Sequence, residues 1–100
     1  MRMITVRSKV KKESVAKVEA AIEKMLSAIQ QERPKGMCFT SCKLPDGETF
    51  VNLLELEDGV ENPLPGIAAA EDFRENRKSW VVEPPIREEL EVVGSYRAIR

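Results

Sequence analysis

Apolar residues along this chain recur first at every second position, then at helical spacing, then in two further alternating runs. A second helical run and a last alternating run follow. Side chains alternate faces along a strand and return to one face of a helix after three or four residues. The pattern predicts a strand at about Met3–Val10 and a helix at about Glu13–Gln31. It then predicts strands at Met37–Leu44 and Thr49–Leu56, a helix at about Gly66–Ser79 and a strand at about Leu90–Ile99. Few topologies accommodate elements in that order with short connections.

The faces can be read residue by residue. Ile4, Val6, Ser8 and Val10 share one side of the first strand; Met3, Thr5, Arg7 and Lys9 share the other. In the first helix, Val15, Val18, Ile22, Met25, Leu26 and Ile29 form a stripe at i, i+3, i+4 and i+7 spacings. Ser14 stands where an N-cap belongs, Glu13 adds an acid at the positive end of the dipole, and Pro34 and Gly36 end the helix. The second helix presents Ile67, Ala70 and Phe73, with Ala69 and Trp80 flanking. Arg74, Arg77 and Lys78 fall in its last turns, where cations suit the dipole. In the last run, Leu90, Val92, Gly94 and Tyr96 alternate with Glu91, Val93, Ser95 and Arg97.

Pro45-Asp46-Gly47-Glu48 joins the second and third strands, and Asp-Gly favours a tight hairpin. An even-numbered loop places Ser41 opposite Asn52 and Phe39 opposite Leu54. Cys38, Thr40 and Cys42 then share the other face with Val51, Leu53 and Glu55; a three-residue loop would reverse these faces. The third strand is apolar on both sides, with Phe50, Leu54 and Leu56 on one and Val51 and Leu53 on the other. Helices cover one sheet face, and a second copy of the sheet is the simplest cover for the other. The order β-α-β-β-α-β is that of the ferredoxin-like fold. The expectation is therefore a single α+β domain over residues 1–100. It has a four-stranded antiparallel sheet in the order 4-1-3-2 and two helices on one face, and it pairs through its sheets as a homodimer.

Composition mainly excludes. A net charge of −1, with basic residues scattered among acids, speaks against a nucleic-acid partner. No apolar run approaches the roughly 20 residues that cross a membrane, and the first residues lack the apolar core of a signal peptide, so a cytoplasmic protein is expected. The chain has no histidine, which removes Ser-His and Cys-His catalysis and the commonest metal ligand. Cys38 and Cys42 lie on one strand face about 13 Å apart at ~3.3 Å per residue, too far for a mutual disulfide. They read as two buried reduced thiols and do not complete a zinc site. Neither a dinucleotide nor a P-loop glycine motif occurs. No metal and no cofactor is expected.

What remains for chemistry is Ser41, Asn52, Trp80 and Tyr96, with Arg7 and the thiols. Asn52 interrupts an apolar strand; it either bonds Ser41 across the hairpin or donates to a ligand oxygen. Trp80 is a core or interface anchor, or one wall of an aromatic site. Tyr96 divides in the same way. A pocket is expected between the sheet and the second helix, with Trp80 and Tyr96 as walls and Asn52 as the orienting group. The Glu57–Pro65 loop, rich in breakers and acids, would lie over one end. Glu55, Glu57, Asp58 and Glu61 read as a solvated acidic strand end.

With these residues in view, the chain resembles the antibiotic biosynthesis monooxygenase-like group of dimeric α/β-barrel proteins. The resemblance spans nearly the whole chain. It rests on Met3-Ile4-Thr5-Val6-Arg7, the early amphipathic helix, Leu54-Glu55-Leu56-Glu57-Asp58 and Val92-Val93-Gly94-Ser95-Tyr96. It implies homodimers through the open sheet faces and a pocket between sheet and helices. It also implies either cofactor-free oxidation of aromatic polyketides or degradation of haem. Haem-degrading members use an Asn on the first strand, where this chain has Val6 and Ser8, and a His on the second helix, where it has none. Cofactor-free oxygenation in the group rests on Asn, Trp and Tyr side chains. Asn52, Trp80 and Tyr96 are of those types, at positions that match no motif of the group. Two functions stay open: a cofactor-independent monooxygenase acting on a small aromatic ligand, and a non-catalytic ligand-binding or assembly domain.

Overall fold

The first alternating run becomes β1 (Arg2–Lys9), an inner strand of the sheet. The computed structural model describes residues 1–96. After β1 come α1 (Val15–Glu32), β2 (Met37–Lys43), β3 (Thr49–Leu56), α2 (Ala68–Trp80) and β4 (Ile86–Glu91). The four strands lie in the order β2-β3-β1-β4, with every neighbouring pair antiparallel. This is the ferredoxin-like α+β arrangement that the hydrophobic periods predict.

α1 forms because its stripe buries Val18, Ile22, Met25 and Ile29. These residues pack with Val10, Phe50, Ile67, Ala70 and Phe73 into the main core. Ile4, Leu54 and Leu56 form a smaller cluster, linked to the main core through Met37, Phe39 and Leu64. Ser14 does not cap α1 through its side chain. A 3-10 turn at Lys12–Ser14 leads into the helix, and Ser14 already has a helical backbone (φ −99°, ψ −7°) where a capping residue is usually extended. At the other end Arg33 takes a left-handed conformation (φ 48°) and donates its N–H to Ile29 O at 2.9 Å.

The hairpin follows the even-loop register: Ser41 pairs with Asn52 and Phe39 with Leu54. Asp46 fixes the turn. Its carboxylate accepts the Glu48 and Thr49 N–H groups at 2.8 Å each and the Thr49 hydroxyl at 2.6 Å. These bonds, the Thr49 hydroxyl first, hold the Asp46 carboxyl below its usual pKa.

The last strand departs from the sequence expectation. It begins at Ile86 and ends at Glu91, whereas the alternation suggested Leu90–Ile99, of which residues 97–99 lie outside the described residues. The cause is register. Val82 N–H donates to Lys9 O at 2.9 Å directly after α2, and the chain then runs down β1 from Arg7↔Ile86 to Arg2↔Glu91. The pairing ends with Glu91 opposite Arg2.

Both helices lie on the face of Ile4, Phe50 and Leu54. The opposite face carries Met3, Leu53, Ile86 and Leu90, and no element among the described residues covers it; Ile86 and Leu90 are 45% and 43% exposed. For the same reason Cys42 is exposed and Cys38 only half-buried, rather than both buried.

Candidate functional site

A cavity of about 420 Å³ opens between the helix-side face of the sheet and α2. Its sheet wall is Ile4 and Val6 of β1 with Asn52 and Leu54 of β3. Alternation requires this grouping, because β1 and β3 pair Val6 with Asn52 and Ile4 with Leu54. Phe39 and Met25 close the apolar side. The opposite wall is α2, through Ala70, Phe73, Arg74 and Arg77, which stand at i, i+3, i+4 and i+7 on one helix face. The loop after β3 contributes Asn62, Leu64 and Pro65. Its shape is held by an Asn62 side chain that accepts the Leu64 N–H at 3.0 Å. The volume lies within the range of small-molecule sites, as does the pairing of an apolar lining with a few polar groups.

The predicted residues are placed as follows. Asn52 lines the cavity. Ser41 Oγ–H donates to Asn52 Oδ1 at 2.6 Å, leaving the amide NH₂ as the remaining donor of a residue that faces the cavity. Ser41 does not line this cavity; it borders a shallower groove with Glu19, Ile22 and Lys43 and reaches the site only through Asn52. Trp80 stands one layer back. It is half-buried and meets Phe73 edge to face, with ring centroids 6.3 Å apart, so Phe73 and not Trp80 forms the wall. Tyr96 is 80% exposed, beyond the end of β4 and outside the lining. Of the four, the fold brings together Asn52 and Ser41.

Sequence reasoning missed the arginines. Arg74 and Arg77 of α2 and Arg87 of β4 all line the cavity, against one carboxylate, Glu71. None of the three forms an ion pair among the described residues, and Glu75 beside them on α2 is taken by Lys78 at 2.7 Å. The Arg77 guanidinium lies 5.8 Å from the centre of the Phe73 ring. Burial, and then the charge of Arg74, hold its pKa below the usual arginine value. The signal for α2 was present in the spacing: Arg74 and Arg77 follow Ala70 and Phe73 by one turn on the same helix face, Arg77 half-buried and Arg74 exposed. Arg87 had none, because its facing depends on the register of β4 against Val6.

Among the described residues no cluster of His, Cys, Asp or Glu could hold a metal ion, and no helix is long and apolar enough to cross a membrane.

No family model matches the chain, and no curated protein matches it. Solved structures do. A proposed antibiotic biosynthesis monooxygenase from Nitrosomonas europaea is similar with a TM-score of 0.77 and 17% identity, over 94% of this chain and 100% of that one. A protein of unknown function from the same organism gives 0.75 and 16%, over 99% and 95% of the two chains. A proposed antibiotic biosynthesis monooxygenase from Caulobacter crescentus gives 0.75 and 14%, over 93% and 90%. The chain thus has, over nearly its whole length, the fold of structures named antibiotic biosynthesis monooxygenases.

Proposed function

We propose that the protein binds a small aromatic molecule in the cavity between the sheet and α2 and oxygenates it without a cofactor. The observation that carries this reading is the cavity itself. It is largely apolar, about 420 Å³ in volume, and has Asn52 held by Ser41 in its sheet wall. An aromatic substrate with an acidic C–H can supply its own electrons to dioxygen. Loss of the proton gives a carbanion, oxygen adds at that carbon to give a hydroperoxide, and loss of water leaves a carbonyl. One oxygen atom stays with the product and the other leaves as water. Glu71 is the only carboxylate among the described lining residues and the natural proton acceptor; the Asn52 amide would donate to the oxygen on which charge develops. Oxygen uptake with anthrone, with product analysis for the ketone, tests the reaction. Uptake above buffer that falls in Asn52→Ala is expected; no uptake, with retained binding, leaves a ligand-binding domain.

The working unit in this reading is a cytoplasmic homodimer joined through the open sheet faces. The uncovered Met3, Leu53, Ile86 and Leu90 support it, since burying apolar surface contributes about 25 cal/mol per Å².

A further inference from the structure

We infer that the ligand is a permanent anion: an apolar, ring-sized body carrying a carboxylate, with the carboxylate held by Arg74, Arg77 and Arg87. The inference rests on the cavity being a ligand site and adds the charge and polarity of what enters it. Three guanidinium groups and one carboxylate, Glu71, line the cavity, so its formal charge is +2 (three minus one). The whole chain carries a net charge of −1, so the residues outside the cavity sum to −3 (−1 minus +2).

Arg74 and Arg77 are i, i+3 neighbours on one helix face, which brings like charges within about 5–6 Å at their Cβ atoms. Arg77 is half-buried and Arg74 exposed; the Glu75 carboxylate, bonded to Lys78, feels the charge of Arg74, but neither arginine forms an ion pair among the described residues. Such a pair is unfavourable in an empty site and becomes favourable when an anion sits between the charges. Arg87 lines the same cavity from β4, where it pairs with Val6 of the sheet wall.

The geometry also selects the head group. A guanidinium offers parallel N–H donors that match the two oxygens of a carboxylate. A carboxylic acid is ionised at neutral pH, whereas a phenol with an ordinary pKa of about 10 is not. Arg74, Arg77 and Pro85 also border a second, shallower cavity of about 430 Å³, together with Lys78 and Glu83. Arg74 and Arg77 therefore stand between the apolar cavity and a more open, solvent-facing one. An acid would lie with its ring against Phe39 and Leu54 and its carboxylate outward at the guanidinium groups.

The test is calorimetric titration with naphthalene-2-carboxylate and its neutral analogue naphthalene-2-carboxamide. The carboxylate should bind about ten- to a hundredfold tighter than the amide, the range of a charge-assisted contact. Arg77→Gln and, separately, Arg87→Gln should shrink that ratio while leaving the affinity for the amide within a few-fold. Lys17→Gln, on the exposed side of α1, should leave it unchanged. Amide affinity reports that each variant is folded, and Arg87 on the exposed edge strand serves if Arg77→Gln does not fold. Equal binding of the two probes overturns the anion inference and leaves the pocket reading standing. No binding of either probe overturns both.

Discussion

Ser41 and Asn52 face each other across β2 and β3, and the Ser41 hydroxyl donates to the Asn52 side-chain oxygen at 2.6 Å. The bond is local to the hairpin, yet it orients an amide that lines the cavity. Structure and function therefore meet in one pair. Asn52→Ala should cost about 1–2 kcal/mol through the lost bond, and about 4–8 °C in thermal midpoint per kcal/mol for a chain of this size. It should also weaken ligand affinity. Ser41→Ala should lower the midpoint by less, since a half-exposed amide can turn to water. Thermal melts and naphthalene-2-carboxylate titration on both variants check this. An unchanged affinity in Asn52→Ala would remove Asn52 from the site.

Gly36 controls the loop that closes the cavity. It adopts φ +72°, and a Cβ there would lie 2.7 Å from Val60 Cγ2. Its carbonyl accepts the Glu57 N–H at 2.9 Å. Gly36→Ala should destabilise by about 1–3 kcal/mol from backbone strain and the clash. Because the displaced Val60 precedes Asn62, Leu64 and Pro65, affinity should fall with stability. Chemical denaturation combined with titration measures both.

Asp46 should make the hairpin acid-sensitive. Its pKa in the folded chain is depressed, chiefly by the Thr49 hydroxyl and then by the Glu48 and Thr49 amides. A depressed carboxylate stabilises the fold above its unfolded pKa, and that contribution disappears as pH falls through the folded value. Asp46→Asn should therefore melt below the parent at neutral pH, and the two curves should converge in acid. A gap that stays constant from neutral pH into the acid range would show that the turn does not depend on the charge.

The open face should hold two copies together. Leu53 lies at its centre, between Thr5 of β1 and Thr40 of β2. Leu53→Glu should yield a monomer by light scattering at micromolar concentration, with an unchanged far-ultraviolet spectrum. A parent protein that is already monomeric at that concentration would end the sheet-to-sheet proposal.

The sequence by itself determined the elements, their order and most of the facing. Period-two and period-3.6 patterns are local consequences of backbone geometry, so the β1 face and the α1 stripe were legible without coordinates; the Ser41–Asn52 pairing was legible only for an even-numbered loop, which the structure has. β4 was not. Its charged run Arg87-Glu88-Glu89 belongs to an edge strand whose position depends on where α2 hands the chain back to β1, which is a long-range fact. The site divides along the same line. Asn52 was readable because a polar residue stood out in an apolar strand. Trp80 and Tyr96 stand out in the sequence as large aromatic residues, but Trp80 meets Phe73 edge to face without lining the cavity, and Tyr96 lies past the end of β4. The arginines entered the cavity only once the tertiary fold laid α2 across the sheet and β4 beside β1. A charged side chain shows its facing through its neighbours in space, and those neighbours are distant in the chain.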